Sequence, residues 1–193
     1  DDKERVRDYL GKILSSSNHL LSLINDILDM SKIEAGTMEF TFAPTDINEL
    51  MEGICRQMQE KNTSPDVAIT FTEKATECIF HTDRVRLSQV IINFTNNAMK
   101  FTSEGSIQMG YRIDETKDEI YFYVKDTGIG IPADKIDEVF ERFVKLNTFA
   151  KGTGLGLAIC RVIVERLEGT IGAKSREGEG SCFWFRLPMH QKV

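Results

Sequence analysis

The 193-residue chain lacks any apolar run of the length that a membrane-spanning helix requires. Its first residues, Asp1-Asp2-Lys3-Glu4, are charged and polar and are not typical of a secretory signal peptide. The sequence therefore predicts a cytoplasmic location for this stretch of polypeptide.

Cysteine is scarce, and its pattern excludes the common cysteine-rich sites. The four cysteines (Cys55, Cys78, Cys160 and Cys182) are scattered and lack the paired spacing of a zinc site. Each has apolar neighbours in the sequence. We expect reduced thiols within a core, as in a cytosolic protein.

The chain also lacks an excess of positive charge. It has 24 lysines and arginines and 30 acidic residues, so the net charge is −6. Binding to a nucleic-acid backbone needs a basic face, so the charge balance argues against such a partner. The hydrophobic fraction of 41% is ordinary for a globular protein. The length allows one substantial domain and an appendage.

A single long helix is predicted over residues 3–35, because apolar residues recur there at helical spacing. A helix of about 50 Å cannot bury such a stripe alone, so it packs in a bundle or dimer or folds back onto this chain. We favour the bundle or dimer because a compact domain seldom has room for such a helix. The stripe comprises Leu10, Ile13, Leu14, Leu20, Leu21, Ile24, Ile27 and Leu28.

The rest of the chain alternates between short helical and strand patterns. Gly36 ends the long helix, and Asp46 and Asp83 are placed to cap helices over 47–60 and up to Lys100. Three helices with a mostly antiparallel sheet predict an α+β fold, a two-layer sandwich. We divide the chain at residue 40, into a helix (1–40) and a domain (41–193). The remaining elements are a third helix over 155–167 and strands over 38–42, 67–71, 79–80, 106–113, 119–125, 170–175 and 182–187.

The first chemical motif is Asn93-Phe94-Thr95-Asn96-Asn97-Ala98-Met99-Lys100. Spacings of four and three place Asn93, Asn97 and Lys100 on one helix face. Amide oxygens suit magnesium, and a lysine suits phosphate. Solvated surface asparagines are the alternative, but three asparagines in five positions cost helix stability, which favours a function.

The second motif, Asp126-Thr127-Gly128-Ile129-Gly130, follows a predicted strand. A carboxylate at a strand end can accept a hydrogen bond from the exocyclic amine of adenine. Gly128 and Gly130 let the backbone turn and approach a flat base closely. A plain Asp-x-Gly turn without function remains the alternative.

The third motif, Gly152-Thr153-Gly154-Leu155-Gly156-Leu157, enters the third predicted helix. Glycines at a helix N-terminus expose N–H groups that favour phosphate. The spacing is neither the dinucleotide fingerprint nor a Walker loop, and a flexible connection is the alternative.

About twenty residues with little periodicity separate the second and third motifs, a length typical of a functional loop. We predict a lid, with short helical pieces from Pro132 to about Leu146. The two aromatic residues of Phe140-Glu141-Arg142-Phe143 would anchor it. Lys145 would reach the terminal phosphate or be an ordinary solvated lysine.

These motifs, in this order, resemble the catalytic and ATP-binding domain of bacterial sensor histidine kinases. The resemblance covers about residues 45 to 190 and implies the α/β sandwich shared with type II topoisomerases, heat-shock chaperones and mismatch-repair ATPases. It also implies ATP and Mg²⁺ as cofactors. The long helix resembles the second helix of that family's dimerisation and phosphoacceptor hairpin, in particular Ile27-Leu28-Asp29-Met30-Ser31-Lys32-Ile33-Glu34-Ala35-Gly36.

The resemblance also implies a role for each site residue. Asn97 would be the main magnesium ligand and Asn93 would assist, while Lys100 and Lys145 would meet phosphate as catalytic cations. Asp126 would hold the adenine amine. Phe101, Gly128, Gly130 and Ile131 would lie beside the base, and Gly152, Thr153, Gly154, Leu155, Gly156 and Leu157 would cradle phosphate.

One expected part of the family pattern is missing. The phosphoacceptor histidine usually stands in a Ser-His-Glu-x-x-x-Pro segment, and no such segment occurs here. His19 is followed by leucine and lies away from the apolar stripe, so we interpret it as a bystander. The chain is then expected to be a kinase piece without its own acceptor helix, whose membrane segments, if any, lie elsewhere.

Three functions follow from these observations. The first is a protein-histidine kinase that transfers the γ-phosphoryl of ATP to a histidine on a helix absent here, within a homodimer, and then serves a response regulator receiver domain. The second is an ATPase of the topoisomerase or chaperone branch, which places a glutamate where Asn93 stands. The third is a non-catalytic module that binds nucleotide or dimerises.

Overall fold

The computed structural model of the protein describes residues 2–144 and 153–190, without the side chains of Ser15 and His19. It confirms the α+β fold: a five-stranded mixed sheet carries three helices on one face, and a long helix precedes them. The helices are α1 (Asp2–Glu34), α2 (Ile47–Lys61), α3 (Arg84–Phe101) and α4 (Gly156–Arg166).

The five-stranded sheet has the order β2-β4-β5-β7-β6, in which β2 and β4 are parallel and the other pairs antiparallel. A separate antiparallel ribbon joins β1 to β3. The sheet is therefore mostly antiparallel, as the sequence predicts. The strands are β1 (Ala43–Asp46), β2 (Val67–Glu73), β3 (Ile79–Thr82), β4 (Gly105–Asp114), β5 (Glu119–Asp126), β6 (Thr170–Arg176) and β7 (Gly180–Pro188).

Alternation along β5 shows how the sheet separates its two faces. Ile120, Phe122 and Val124 are buried under the helices, whereas Tyr121 and Tyr123 lie half-buried on the other face. A period of two is what a sheet with one covered face requires. The helices therefore cover the face of the sheet that carries Ile120, Phe122 and Val124.

The helix α1 spans 33 residues, and most of its apolar stripe remains exposed. Ten large apolar side chains between Val6 and Leu28 are 44% to 64% accessible. Only the last turns reach the core, where Met30 is buried and Ile33 packs beside it. No helix in the part of the chain that the structure describes is long and apolar enough to cross a membrane.

The predicted helix ends are confirmed by their hydrogen bonds. The Asp46 carboxylate accepts the Glu49 N–H at 3.1 Å, and the Asp83 carboxylate accepts the Arg86 N–H at 2.9 Å. Gly36 follows α1 with a φ of +67°, a left-handed conformation that glycine adopts without strain. These three helix ends thus lie where the sequence predicts a capping residue.

The predicted strand over 38–42 is wrong, and the first strand of the structure is β1, at Ala43–Asp46. The Thr41 N–H donates to the Asp83 carboxylate at 2.7 Å, so it is not free for a ladder. Phe40 and Phe42 face the same way and stack at 6.5 Å between ring centroids. Aromatic packing and a carboxylate acceptor therefore replace strand pairing in this segment.

The three buried cysteines, Cys55, Cys78 and Cys160, lie in the core as expected, while Cys182 is half-buried on the sheet. None of the four forms a disulfide. The core itself lies between the sheet and the three helices.

Replacement of Phe94 tests the packing of α3 on the sheet. Its side chain is 0% exposed, and its ring centroid lies 5.4 Å from that of Phe183 and 6.0 Å from that of Phe185. We expect Phe94→Ala to lower the free energy of unfolding by about 3 to 5 kcal/mol, because a large cavity forms. Urea denaturation followed by circular dichroism measures this change.

Val85→Ala is the matched control on the same helix. Its side chain is 71% exposed, so a change within about 0.5 kcal/mol is expected. Equal losses for the two variants would contradict the core that we describe.

Candidate functional site

The first sequence motif lies on α3, whose two faces have different environments. Phe94, Thr95 and Ala98 are buried, whereas Asn93 and Asn97 are half-buried and Lys100 is exposed. The Lys100 ammonium lies 5.0 Å from the centre of the Phe101 ring. Asn96 accepts a hydrogen bond from the Lys61 ammonium at 2.9 Å, on a different face, as expected of an ordinary surface residue.

The two asparagines of this face differ in their contacts. The Asn93 amide donates weakly to the Gly156 carbonyl at 3.4 Å and to the Cys160 sulfur at 3.5 Å, so α3 is joined to the start of α4. The side chain of Asn97 makes no hydrogen bond within residues 2–144 and 153–190. A half-buried amide without a protein partner is suited to a ligand.

Asp126 ends β5 and is 5% exposed. Its Oδ1 accepts the Gly128 N–H at 2.8 Å and the Ser181 N–H at 3.3 Å. Burial raises the pKa of this carboxyl, and the two N–H donors oppose that shift. Oδ2 accepts no hydrogen bond from the described residues, so one carboxylate oxygen is available to a donor from a ligand.

The glycines after Asp126 bring the backbone close to its neighbours. A Cβ on Gly128 would lie 2.4 Å from the Phe101 carbonyl oxygen, and one on Gly130 would lie 2.1 Å from the Arg176 carbonyl oxygen. The Ile129 N–H donates to the Phe101 carbonyl at 3.1 Å. The turn is therefore bonded to the last residue of α3, and its glycines are required by close approach.

The third motif leads into α4 as predicted, with Gly152 outside the described residues. Leu155 precedes α4 and offers no side-chain cap, so the first N–H groups of the helix lack an acceptor within it. Gly154 has a φ of +73° and lies against the backbone of Phe143. Leu155 is buried, and Gly156 and Leu157 are half-buried.

The segment between the second and third motifs is partly described, and Lys145 lies outside the described residues. Ile131 is buried, and its N–H donates to the Ser175 hydroxyl at 2.8 Å. Phe140 is buried with its ring edge-on to Phe183, at 6.1 Å between centroids. Phe143 is 71% exposed, so only one of the two predicted aromatic anchors is in the core.

Sequence reasoning missed a polar contact between α1 and the rest of the chain. Asp29 accepts hydrogen bonds from Gln89 at 2.7 Å and Arg86 at 3.4 Å, and Asp26 accepts one from the Thr153 hydroxyl at 2.9 Å. Together with Met30 and Ile33, the two acids have helical spacing and form a second stripe. That pattern was available in the sequence, but it is hidden beside the longer apolar stripe.

The arrangement has the features of a nucleotide site. A carboxylate oxygen of Asp126 is available beside a glycine-containing turn. Two side-chain amides lie on one face of α3, and the N-terminus of α4 contacts that face. Amide oxygens suit Mg²⁺, which keeps several waters and takes few protein ligands. The described residues contain no group of three or more His, Cys, Asp and Glu residues that could hold a metal.

Comparison with family models assigns both parts of the chain. Residues 82–191, more than half of the chain, match the family described as histidine kinase-, DNA gyrase B-, and HSP90-like ATPase. Residues 1–36 match the His Kinase A (phospho-acceptor) domain.

Individual relatives agree with these matches. The autoinducer 2 sensor kinase/phosphatase LuxQ of Vibrio vulnificus is 36% identical over 206 residues, which is 99% of this chain and 23% of LuxQ. The circadian input-output histidine kinase CikA of Synechococcus elongatus is 37% identical over 192 residues, 96% of this chain and 25% of CikA. The chain thus spans about a quarter of the length of the curated relatives that it matches.

A solved structure of similar fold is that of full-length ShkA in complex with AMPPNP. The TM-score is 0.84 at 31% identity, over 97% of this chain and 39% of that chain. The histidine kinase ThkA in complex with the response regulator protein TrrA gives 0.75 at 26% identity, over 98% of this chain and 53% of that chain.

Substitution at Gly130 tests the close approach in the turn. Gly130 has a φ of +70° and no room for a Cβ, because the Arg176 carbonyl oxygen lies 2.1 Å from its position. We expect Gly130→Ala to lower the free energy of unfolding by about 2 to 4 kcal/mol, from backbone strain and steric overlap together. Thermal unfolding at several denaturant concentrations measures it.

Gly178→Ala is the matched control, since Gly178 has a φ of +80° but nothing within 4 Å of a Cβ. Backbone strain alone predicts a loss of about 1 kcal/mol. If Gly130→Ala cost no more than this control, the close contact with Arg176 would be disproved.

Proposed function

The chain belongs to the sensor histidine kinases of the histidine kinase-, DNA gyrase B-, and HSP90-like ATPase family, and we propose that it binds Mg²⁺-ATP and transfers the γ-phosphoryl group to a histidine. We assign this catalytic part to residues 41–193, and residues 1–40 to the second helix of a dimerisation and phosphoacceptor hairpin. Because it uses ATP, we place it in the cytoplasm.

The observation that carries the proposal is the linkage of all three motifs through α3. The Phe101 carbonyl accepts the Ile129 N–H at 3.1 Å, which ties the base-side turn to the end of α3. The Asn93 amide donates to the Gly156 carbonyl at 3.4 Å, which ties the start of α4 to the middle of α3. The helix α3 thus fixes the relative positions of the residues that we assign to the base, to the metal and to the phosphates. The bound AMPPNP of ShkA supports the same choice of ligand.

Each residue then has a chemical role. The available oxygen of Asp126 accepts the adenine amine, with Phe101, Gly128, Gly130 and Ile131 beside the base. Asn97, assisted by Asn93, holds Mg²⁺, which when bound neutralises phosphate charge and orients the terminal phosphoryl group. The phosphates are bound by Lys100 and by residues 153–157. Lys145 and Gly152, which lie outside the described residues, complete this set.

The acceptor is a histidine and not water, because the site offers no general base at Asn93. A carboxamide has no proton-accepting function at neutral pH, unlike the glutamate of the related ATPases. A neutral acceptor imidazole attacks phosphorus through the lone pair of its unprotonated nitrogen, so the attack needs no base at the position of Asn93, and the proton on the other ring nitrogen passes to solvent. In this transfer a nitrogen–phosphorus bond forms as the bond to the ADP oxygen breaks. Positioning and charge neutralisation supply the catalysis.

The partners follow from the same assignment. The exposed stripe of α1 fits a bundle with an acceptor helix and with a second copy of the kinase. A response regulator receiver domain then takes the phosphoryl group, as the complex of ThkA with TrrA supports.

Asp126→Asn tests the base site with little change of shape. The new side chain keeps an oxygen for the Gly128 and Ser181 N–H donors, and it turns an amide nitrogen toward the base. Loss of the charged acceptor predicts at least a tenfold weaker affinity for Mg²⁺-ATP, about 1.4 kcal/mol or more. Isothermal titration calorimetry measures it.

Asp134→Asn, an exposed acid in the 3-10 helix after the turn, serves as the control and is expected to bind as the unchanged chain does. Unchanged affinity in Asp126→Asn would refute the base assignment.

Phosphoryl transfer tests the activity itself. The chain is mixed with a separate acceptor hairpin from a sensor histidine kinase and with γ-labelled ATP. We expect an acid-labile, base-stable phosphoprotein in the acceptor and none when Asn97→Ala replaces the unchanged chain.

The other outcomes identify the other functions. Tight ATP binding with no transfer to any acceptor would favour a non-catalytic nucleotide-binding module. Rapid steady hydrolysis by the chain alone would favour the ATPase branch.

A further inference from the structure

The helix α1 lies against α3 and the start of α4 through a small polar surface, which we call the docking face. Asp29 bonds to Gln89 and Arg86 on α3, and the Asp29 and Arg86 side chains are each only 16% exposed. Glu34 pairs with Arg142 at 2.7 Å. Met30 is buried beneath these contacts. The docking face lies on the opposite side of α1 from its exposed apolar stripe.

Within the docking face, Asp26 makes the contact that reaches the loop. The Thr153 hydroxyl donates to the Asp26 Oδ2 at 2.9 Å and accepts the Leu155 N–H at 3.1 Å. Thr153 therefore connects a carboxylate of α1 to the backbone at the start of α4. This is the same helix start to which we assign the phosphates, and the inference rests on that proposed function.

The Asp26 carboxylate lies close to the start of α4, because the Thr153 hydroxyl that it accepts at 2.9 Å also accepts the Leu155 N–H. Asp26 is half-buried, and burial raises its own pKa while the Thr153 hydroxyl opposes that shift. A partly buried charge interacts strongly with a second charge, because water screens it poorly.

We propose that Asp26 opposes nucleotide binding when α1 is docked, so that the docking face is an autoinhibitory contact. A polyphosphate at the start of α4 meets the negative charge of Asp26 and competes with it for the Thr153 hydroxyl. Bound nucleotide therefore weakens docking, and release of α1 strengthens nucleotide binding. The two effects are equal by thermodynamic linkage.

The apolar stripe offers a way for a partner helix to control this coupling. Because the stripe and the docking face lie on opposite sides of α1, a partner helix can bind the stripe without removing Asp26 from Thr153. A rotation or shift of α1 within such a bundle would separate them. Nucleotide affinity would then report the position of the helix.

Asp26→Asn in the 193-residue chain tests the proposal. The new amide can still accept from Thr153, so the fold and the contact are retained while the charge is removed. We expect about three- to tenfold tighter binding of Mg²⁺-ATP by calorimetry and no change in the binding of adenosine, which carries no phosphate. Asp8→Asn is the matched control, because Asp8 is exposed on α1 and, among the described residues, pairs with Lys12 one helical turn away.

The outcomes separate this inference from the proposed function. If the unchanged chain binds no Mg²⁺-ATP, the proposed function fails. If it binds and Asp26→Asn binds equally or more weakly, the autoinhibitory contact is wrong, and weaker binding would mean that Asp26 helps to hold the cation. Tighter adenosine binding would also overturn it, because the effect would not come from phosphate.

A second measurement tests the reciprocal effect. Hydrogen exchange of the backbone amides in residues 24–34 is followed with and without saturating Mg²⁺-ATP. We expect about three- to tenfold faster exchange with nucleotide, because α1 loses part of its docking, and no such change in Asp26→Asn. Unchanged or slower exchange in the unchanged chain would contradict the coupling.

Discussion

The site depends on the way in which α3 is held between the core and the two loops that flank it. Phe94 packs against Phe183 and Phe185, which fixes the rotation of the helix about its own axis. That rotation turns Asn93 toward α4, and Asn97 lies four residues later on the same face of α3. The Phe101 carbonyl then anchors the turn after β5 through the Ile129 N–H. Hydrophobic burial on one face of α3 thus determines where the polar groups on the other face can act.

The helix α1, like α3, has two sides with different functions. One of its sides carries acids that bond to α3 and to Thr153, and the other side carries apolar residues that the chain leaves exposed. A partner that binds the apolar stripe is thus connected through α1 to Thr153 and to the start of α4. Under the coupling that we propose, a change in the packing of α1 alters the nucleotide site through this contact.

Much of this structure could be predicted from local chemistry. Asp46 and Asp83 cap helices because their carboxylates accept N–H groups three residues later, and the alternation of Ile120, Phe122 and Val124 predicts a half-covered strand. The strand over 38–42 could not be excluded, because the Thr41 N–H is taken by Asp83, forty-two positions away. The exposure of Phe143 and the contact of Asp26 with Thr153 likewise depend on tertiary packing. From the residues alone, the roles that we propose for Asn93, Asn97 and Asp126 could be predicted only as chemical types, because the turn after β5 and the start of α4 meet α3 only in the folded chain.

A crystal structure of this chain with magnesium and a non-hydrolysable ATP analogue tests the account most directly. It predicts the adenine amine within hydrogen-bond distance of the Asp126 Oδ2, the phosphates at the start of α4, and a magnesium ion bound by Asn97. Nucleotide bound elsewhere, or an adenine with no contact to Asp126, would contradict it.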